Sequence, residues 1–191
     1  MEIRVSFGKS ALLEALKEAG AYKAAIKNGA IKVSAFLKEY YIIKNFDEPN
    51  RLGGTRSNFW ADVARSVQPA TERGDEVIVS ILDFRLLQKI YGGKIRAKRV
   101  KYLTIPISKE AYNTTARVFE RKTKQKLFPI KSKKGNRLLV SRVDGGIQPH
   151  YLLKEQVDQK PWPGSLPRDE EILKAFNEGI SLFLQQLEND D

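Results

Sequence analysis

The 191-residue sequence contains no cysteine and only one histidine, His150. Without cysteine, the chain cannot form disulfide bonds, thiolate zinc sites or a cysteine nucleophile. A single imidazole cannot supply the cluster of histidines that many metal sites require within one chain. The fold must therefore be held by packing and hydrogen bonds, or by neighbouring subunits, and the lack of cysteine fits a reducing compartment.

Long hydrophobic runs are also missing. No apolar stretch approaches the ~18 residues that span a bilayer. Charged residues occupy the start of the chain, Met1-Glu2-Ile3-Arg4, where a secretory signal would need an apolar stretch. We therefore expect no membrane segment and a protein made and used in a cytoplasm. Apolar residues make up 41% of the sequence, which is enough for a core, so we predict one domain over residues 1–191.

Acidic residues are scarce in the middle of the chain. Between Arg85 and Arg142 there are 18 Lys/Arg and two Asp/Glu, whereas the remaining residues carry 16 and 21. A local field of this kind can attract nucleic acid or an acidic partner subunit. The plainer interpretation is a solvated basic surface, and composition alone leaves all three open.

Hydrophobic periodicity predicts an α+β fold with N-terminal helices, a central antiparallel β-sheet with a hairpin, and a C-terminal amphipathic helix. The boundaries are residues 1–70 for the helical part, 75–158 for the sheet and 167–188 for the last helix. Two apolar stripes have helical spacing. They comprise Tyr22, Ile26, Ala30, Val33, Leu37 and Tyr40 in the first part, and Ile172, Phe176, Ile180, Phe183 or Leu184, and Leu187 in the last.

Several strands can be placed within residues 75–158. A hairpin is predicted from residues 126–130 and 137–141, with its turn at 133–136. Pro106 suggests that its strand lies at a sheet edge or ends there. Residues 148–157 read as one further strand, and residues 108–111 as the start of a short helix.

The search for catalytic chemistry finds no convincing constellation. His150 has no accompanying Gly-x-Ser-x-Gly elbow. Gly53-Gly54-Thr55-Arg56-Ser57 precedes a predicted helix and could hold phosphate, but the Walker pattern is missing. The acidic residues Asp62, Asp75, Glu76 and Asp83 lack compact metal-ligand spacing, and turns or caps explain most of them. We therefore expect no catalytic residue, no cofactor and no metal.

Aromatic residues interleave with the central lysines, a pattern that can bind single-stranded nucleic acid. Tyr91, Tyr102 and Phe128 are the candidates, although each also fits a core position. No helix-turn-helix, RNA-recognition or zinc-finger signature is present. A nucleic-acid-binding protein that uses the basic segment 85–142 is therefore the alternative interpretation, and we expect such binding to lack sequence specificity.

Six segments, in order, resemble the phage virion morphogenesis family, which includes the tail completion proteins of P2-like phages and a Mu-like counterpart. The resemblance covers roughly residues 10–187 and matches the lysine-rich residues 121–134 least well. The segments are 52–60 (LGGTRSNFW) running into 64–66, 91–96 (YGGKIR), 103–107 (LTIPI) with 110–112, 127–128 (LF), 138–140 (LLV), and 151–153 (YLL) leading to 157–163.

The resemblance implies a non-enzymatic structural component of a tailed-phage or prophage particle. Such proteins act in tail completion and head–tail joining, at the neck of the virion, after the tail tube has assembled. The expected partners are other tail or neck proteins and further copies of this chain in a ring. The expected location is the virion, and the host cytoplasm during assembly.

Ring assembly through head-to-tail contacts would pair unlike surfaces of neighbouring subunits. We expect the basic segment to meet the acidic C-terminal helix of an adjacent subunit, or an acidic tail protein. The loops at Gly92-Gly93 and at 133–136 are the predicted docking tips, since loops present variable surfaces on a rigid sheet. An ordinary hairpin turn made soluble by lysine explains the second loop equally well. The predicted assembly interface comprises Lys94, Arg96, Lys98, Arg99, Lys131, Lys133 and Lys134.

Overall fold

The computed structural model describes residues 1–4, 16, 20–47, 52, 58–74 and 76–190. The chain forms two compact units. Unit 1 comprises Met1–Asp47, Asn58–Ile90 and Trp162–Asp191, and unit 2 comprises Glu48–Ser57 and Tyr91–Pro161. Two such units neither require nor exclude one domain, so the single domain over residues 1–191 stays a prediction.

The described residues form five helices and nine strands. The helices are α1 (Tyr22–Asp47), α2 (Phe59–Ser66), α3 (Arg85–Tyr91), α4 (Ala116–Thr123) and α5 (Asp169–Asp190). The strands are β1 (Glu2–Arg4), β2 (Thr71–Arg73), β3 (Glu76–Ser80), β4 (Gly93–Arg96), β5 (Leu103–Pro106), β6 (Phe128–Lys131), β7 (Arg137–Val143), β8 (Gly146–Lys154) and β9 (Gln156–Gln159).

The core of unit 1 lies between α1, α2 and α5. The predicted stripe of α1 is confirmed in its interior, whereas Tyr22 and Tyr40 are half-buried and Tyr41 is fully buried instead. On α5, Phe176 and Ile180 are buried, but Leu187 is exposed, so its placement on the buried stripe was wrong. The fully or nearly buried residues of α1 are Ala25, Ile26, Gly29, Ala30, Val33, Ser34, Leu37 and Tyr41.

A small antiparallel sheet completes unit 1 in the order β1–β3–β2. The amino group of Met1 donates a hydrogen bond of 2.7 Å to the carbonyl oxygen of Ile81, just after β3. β1 is thus a strand within residues 1–70, which the sequence had assigned to helices. A strand of three residues, such as β1, is too short to show a hydrophobic pattern in the sequence, and its stability comes from pairing with β3.

Unit 2 contains a four-stranded antiparallel sheet in the order β5–β8–β7–β6 and a separate two-stranded pair, β4–β9. β5 is an edge strand, as Pro106 predicts, and the β6–β7 hairpin is confirmed with Lys131 opposite Arg137. α4 was not predicted from the sequence. It buries Phe119 against Tyr151 of β8, with the two ring centroids 6.0 Å apart.

The α+β class is confirmed, with helices near both ends of the chain and antiparallel sheets between them. The single central sheet was wrong, because the described strands divide among three sheets. The predicted strand at 148–157 divides at Glu155 into β8 and β9, which pair in different sheets. Residues 108–111 form turns rather than a helix. Periodicity reports which face is buried, but not which strands pair.

Candidate assembly surface

Charge divides between the two units. Unit 2 carries 20 Lys/Arg and six Asp/Glu, whereas unit 1 carries 14 and 17. The ion pairs of the described residues lie in unit 1, for example Lys27 with Glu72 at 2.9 Å. No basic side chain between Tyr91 and Pro161 forms a salt bridge with a carboxylate of the described residues. Within the described residues, internal salt bridges thus do not offset the positive charge of unit 2.

The β6–β7 hairpin presents the first group of predicted interface residues. Lys131 ends β6, and Lys133 and Lys134 lie in the turn; all three are exposed. The turn is closed by hydrogen bonds from Ser132 N to Asn136 O at 2.8 Å and from Gly135 N to Ser132 O at 2.9 Å. Gly135 has φ +78°, a conformation that glycine adopts without strain. Because the turn is held by its backbone, the three lysines project from an ordered tip.

The second predicted group lies on and after β4. Lys94 and Arg96 are exposed on β4, and Lys98 and Arg99 are exposed in the bend that follows. Lys94 stands opposite Asp158 of β9 in the strand register, although no salt bridge joins them. The predicted docking tip at Gly92-Gly93 is instead constrained, because a Cβ at Gly92 would collide with the backbone of Gln159 and Pro161. All seven predicted residues belong to unit 2, where they lie on or next to β4 and β6, two strands of different sheets.

Tyr102 connects the hairpin with the bend. The guanidinium of Arg137 donates a hydrogen bond to the Tyr102 hydroxyl and lies 5.1 Å from the centroid of its ring. The ammonium of Lys101 lies 5.7 Å from the same centroid. Since Arg137 pairs with Lys131 across the hairpin, Tyr102 brings the base of the hairpin beside the 98–101 bend.

Arg137 and Lys101 were not among the predicted interface residues. Arg137 could have been found from the sequence, because the predicted hairpin places it opposite Lys131. The contact between Tyr102 and Arg137 could not, because it depends on β8 lying between β5 and β7. Tyr102, one of the aromatic residues considered for stacking on nucleic-acid bases, already contacts two cations. Phe128, another of them, is half-buried on β6.

α5 carries a surface of the opposite sign on unit 1. The helix as a whole is acidic, with six Asp/Glu and one Lys. Its exposed residues Glu170, Leu173, Glu178 and Leu182 line an open concavity together with two cations, Lys174 of α5 and Lys32 of α1. Glu178 is 3.9 Å from Lys32, and both side chains remain about half exposed. Exposed leucines with carboxylates around them have the composition of a protein interface, an apolar centre with a polar rim.

His150 is a satisfied core histidine. It is 2% exposed, and its Nδ1 and Nε2 each form a 2.9 Å hydrogen bond, to the hydroxyls of Ser108 and Ser141 respectively. Burial lowers the pKa of His150, an effect that the negative charge of Glu110 partly opposes. His150 lies in the middle of β8, the strand Gly146–Lys154. Ser141 is itself fully buried, so the pair is closed to a substrate.

The acidic residues considered for a metal site have other partners. Asp62 and Asp83 both bind the guanidinium of Arg85, at 3.0 and 2.5 Å. The Arg85 side chain holds the pKa of Asp83 below its ordinary value. Within the described part of the chain, no group of three or more His, Asp or Glu is arranged to hold a metal ion. Asp75 and the Gly53–Ser57 loop lie outside the described residues.

Comparison with protein-family models, with curated proteins and with solved structures finds no match to this chain. The helices among the described residues include none that is long and apolar enough to cross a membrane.

Proposed function

We propose that this chain is a non-enzymatic structural component of a tailed-phage or prophage particle that acts in tail completion and head–tail joining. Its place is the neck of the virion, and the host cytoplasm during assembly. The six sequence segments that resemble the virion morphogenesis family suggest this role. The observation that carries the proposal is the segregation of charge between the two units, with no internal salt bridge for the described basic side chains of residues 91–161.

A subunit with two surfaces of opposite sign is suited to head-to-tail assembly. In a ring, each subunit uses one surface to contact the neighbour on one side and a different surface to contact the neighbour on the other. Complementary charge brings such surfaces together in a defined register and disfavours contacts between like surfaces. The ordered hairpin tip at Lys131–Lys134 and the acidic helix α5, at the carboxylates Glu170 and Glu178, are the two surfaces proposed to meet between adjacent copies.

The α5 surface adds an apolar contribution to this contact. Leu173 is 48% exposed and Leu182 is 50% exposed, and both lie in the concavity beside Glu170 and Glu178. Burying such side chains stabilises an association by about 25 cal/mol per Å² of apolar area removed from water. The lysine stems of the hairpin can cover these leucines while their ammonium groups reach the carboxylates.

The experiment that tests the proposal is electron microscopy of a lysate from the phage or induced prophage with this gene deleted. We expect DNA-filled heads alongside separate tails of normal length, because the neck would be incomplete. Supplying the wild-type chain in trans should restore joined particles. Intact, infectious particles in the deletion lysate would refute the proposed function.

A further inference from the structure

Helix α4 carries a second basic surface, separate from the predicted assembly interface. Arg117 and Arg121 of α4 and its C-cap residue Lys124 have a spacing of four and three residues. At 100° per residue Arg117 and Arg121 lie about 40° apart on the helix, and Lys124 follows at its C-terminal end. The Cα atoms of the three residues span about 10 Å along the axis. All three side chains are exposed. We call these three residues the α4 stripe.

No carboxylate of the described residues forms a salt bridge with the α4 stripe. Glu120 is the only acidic residue of α4, and its carboxylate accepts a hydrogen bond of 2.8 Å from the backbone N of Leu127. It forms no salt bridge with Arg117, three residues before it. Like charges at an i,i+4 spacing, as for Arg117 and Arg121, destabilise an isolated helix by a few tenths of a kcal/mol.

Two members of the stripe occupy positions that are locally unfavourable for them. Arg117 lies in the first turn of α4, where the helix dipole favours a carboxylate rather than a cation. Lys124 caps the helix with φ +56°, in the left-handed region that costs an L-residue other than glycine roughly 1 kcal/mol. Residues at locally unfavourable positions are expected at functional sites. Here such positions bring three cations together.

The stripe is presented by a rigid support. Phe119 is 1% exposed, and its ring lies 4.4 Å from that of His150 and 6.0 Å from that of Tyr151. Thr115 caps the helix by accepting a hydrogen bond from Val118 N at 3.4 Å. Thr123 donates to Phe119 O at 2.9 Å at the other end. An anchored helix holds its cations at fixed spacing, which lowers the entropic cost of binding.

We propose that the α4 stripe binds the phosphate backbone of nucleic acid, with double-stranded DNA as the ligand. Double-stranded DNA carries one negative charge per ~1.7 Å of helix axis, so a basic surface about 10 Å long faces several phosphates. Two of the three cations are arginines, whose planar guanidinium binds phosphate through two hydrogen bonds. No large apolar side chain of α4 is exposed. Protein–DNA interfaces are polar and positively charged, whereas protein partners usually require an apolar centre.

The test is fluorescence anisotropy of a short labelled DNA duplex of arbitrary sequence, titrated with the full chain between about 50 and 200 mM salt. The variant Arg117→Gln/Arg121→Gln/Lys124→Gln should bind about tenfold or more weakly at the low salt. Its plot of log K against log salt should be shallower by up to about 3, because each phosphate that the protein no longer neutralises reduces the slope by ~0.9. The matched control Lys109→Gln/Lys154→Gln/Lys160→Gln removes the same charge from exposed sites of unit 2 and should keep most of the slope.

Three results would overturn the inference. The first is that the wild-type chain does not bind the duplex at the low salt. The second is that the stripe variant and the control lose the same affinity for the duplex. The third is that poly-glutamate displaces the labelled duplex as effectively as unlabelled duplex does, at the same concentration of charge. The last would show an acidic polypeptide to be an equally good ligand. Circular dichroism of both variants establishes that they are folded. A failure here leaves the neck role standing, because that role is tested by the morphology of the deletion lysate.

Discussion

Gly29 of α1 lies against the ring of Phe176 on α5, so closely that a Cβ at position 29 would stand 2.5 Å from Cε2 of that ring. A glycine of α5 lies equally close to α1. A Cβ at Gly179 of α5 would stand 2.6 Å from the carbonyl oxygen of Asn28 and 2.8 Å from Cα of Gly29. The two longest helices of unit 1 therefore approach each other at a pair of glycines.

We expect Gly29→Ala to destabilise the protein, although alanine is the better helix former. The gain in helix propensity is at most about 1 kcal/mol. Overpacking a close-packed core costs about 1–3 kcal/mol, and the Phe176 ring, 1% exposed, has little room to move. Gly179→Ala should cost more, because its Cβ meets backbone atoms rather than a ring. Urea unfolding monitored by circular dichroism would measure both.

A double-mutant cycle separates this contact from a general effect on α1. Phe176→Leu shortens the side chain that blocks position 29. If the clash is the cause, Gly29→Ala should cost less in the Phe176→Leu background than in the wild type. Additive changes in the free energy of unfolding would contradict the contact as its source.

Tyr41 should contribute more to stability than its neighbour Tyr40 through the same kind of hydrogen bond. The hydroxyl of Tyr41, fully buried, donates to Ser165 O at 3.0 Å, whereas that of Tyr40 donates to Gly164 O at 2.8 Å near the surface. Tyr41→Phe leaves a buried carbonyl oxygen unsatisfied, at a cost of about 1–3 kcal/mol. Tyr40→Phe should cost well under half as much, because water replaces the lost donor. Equal losses in thermal unfolding would contradict this interpretation.

The sequence predicted the elements whose periodicity is long or whose turns are distinctive. The α1 stripe, the hairpin of β6 and β7, and the edge position of β5 were predicted because their buried faces and turn residues follow local rules. α4 was missed because it shows a single fully buried residue, Phe119, among four cations in the segment 116–124. Such a helix is stabilised by its packing against Tyr151 rather than by its own pattern.

The candidate assembly surface also contains features that the sequence could predict and features that it could not. The exposure of Lys133 and Lys134 follows from their place in a hairpin turn, which the sequence specifies locally. The contact of Arg137 with Tyr102 depends on the strand order β5–β8–β7, which no local pattern encodes. The division of strands between the β4–β9 pair and the larger sheet is equally non-local, because it turns on the break at Glu155.

His150 should make stability depend on pH in a narrow window. Burial lowers its folded pKa below the ordinary 6.5, so the unfolded chain binds the proton more readily. The contribution of neutral, buried His150 to the free energy of unfolding is therefore fully present above pH ~6.5. It is lost as the pH falls below that value, at up to about 1.4 kcal/mol per pH unit. Urea unfolding between about pH 5 and 7 would measure it.

The matched variant for this prediction is His150→Gln. Glutamine can still hydrogen-bond to the serine hydroxyls but does not titrate. Because the chain has no other histidine, the variant should have a flatter dependence of the free energy of unfolding on pH in this window. An unchanged slope would mean that another group is responsible.

Lys124→Gly should stabilise the fold while weakening the binding of DNA. Glycine adopts the φ of +56° at this C-cap without strain, which is worth roughly 1 kcal/mol and a rise of about 2–4 °C in Tm for a chain of this size. The same change removes one cation of the α4 stripe. A variant that is more stable but binds the duplex more weakly separates loss of function from loss of folding. A fall in Tm would contradict the strain argument.

The hairpin contact predicts an assembly defect that charge exchange can repair. Reversing the tip with Lys131→Glu/Lys133→Glu/Lys134→Glu should leave a folded protein that fails to complement the deletion, because like charges would now face the carboxylates of α5. Electron microscopy should then show full heads beside unattached tails. The control Lys109→Glu/Lys154→Glu/Lys160→Glu changes the charge equally and should still complement.

Adding Glu170→Lys and Glu178→Lys to the reversed hairpin should restore joined particles, because each copy would again present opposite charges to its neighbours. The exchange replaces the 3.9 Å, half-exposed pair of Glu178 with Lys32 by two lysines and places both new lysines four residues from Lys174. Like-charge pairs of this exposed kind cost a few tenths of a kcal/mol each, so circular dichroism should still show a folded protein. If the reversed hairpin alone supports normal particles, the hairpin has no role in assembly. If it fails and the exchange does not rescue it, the hairpin docks on an acidic protein of the tail rather than on α5 of a neighbouring copy.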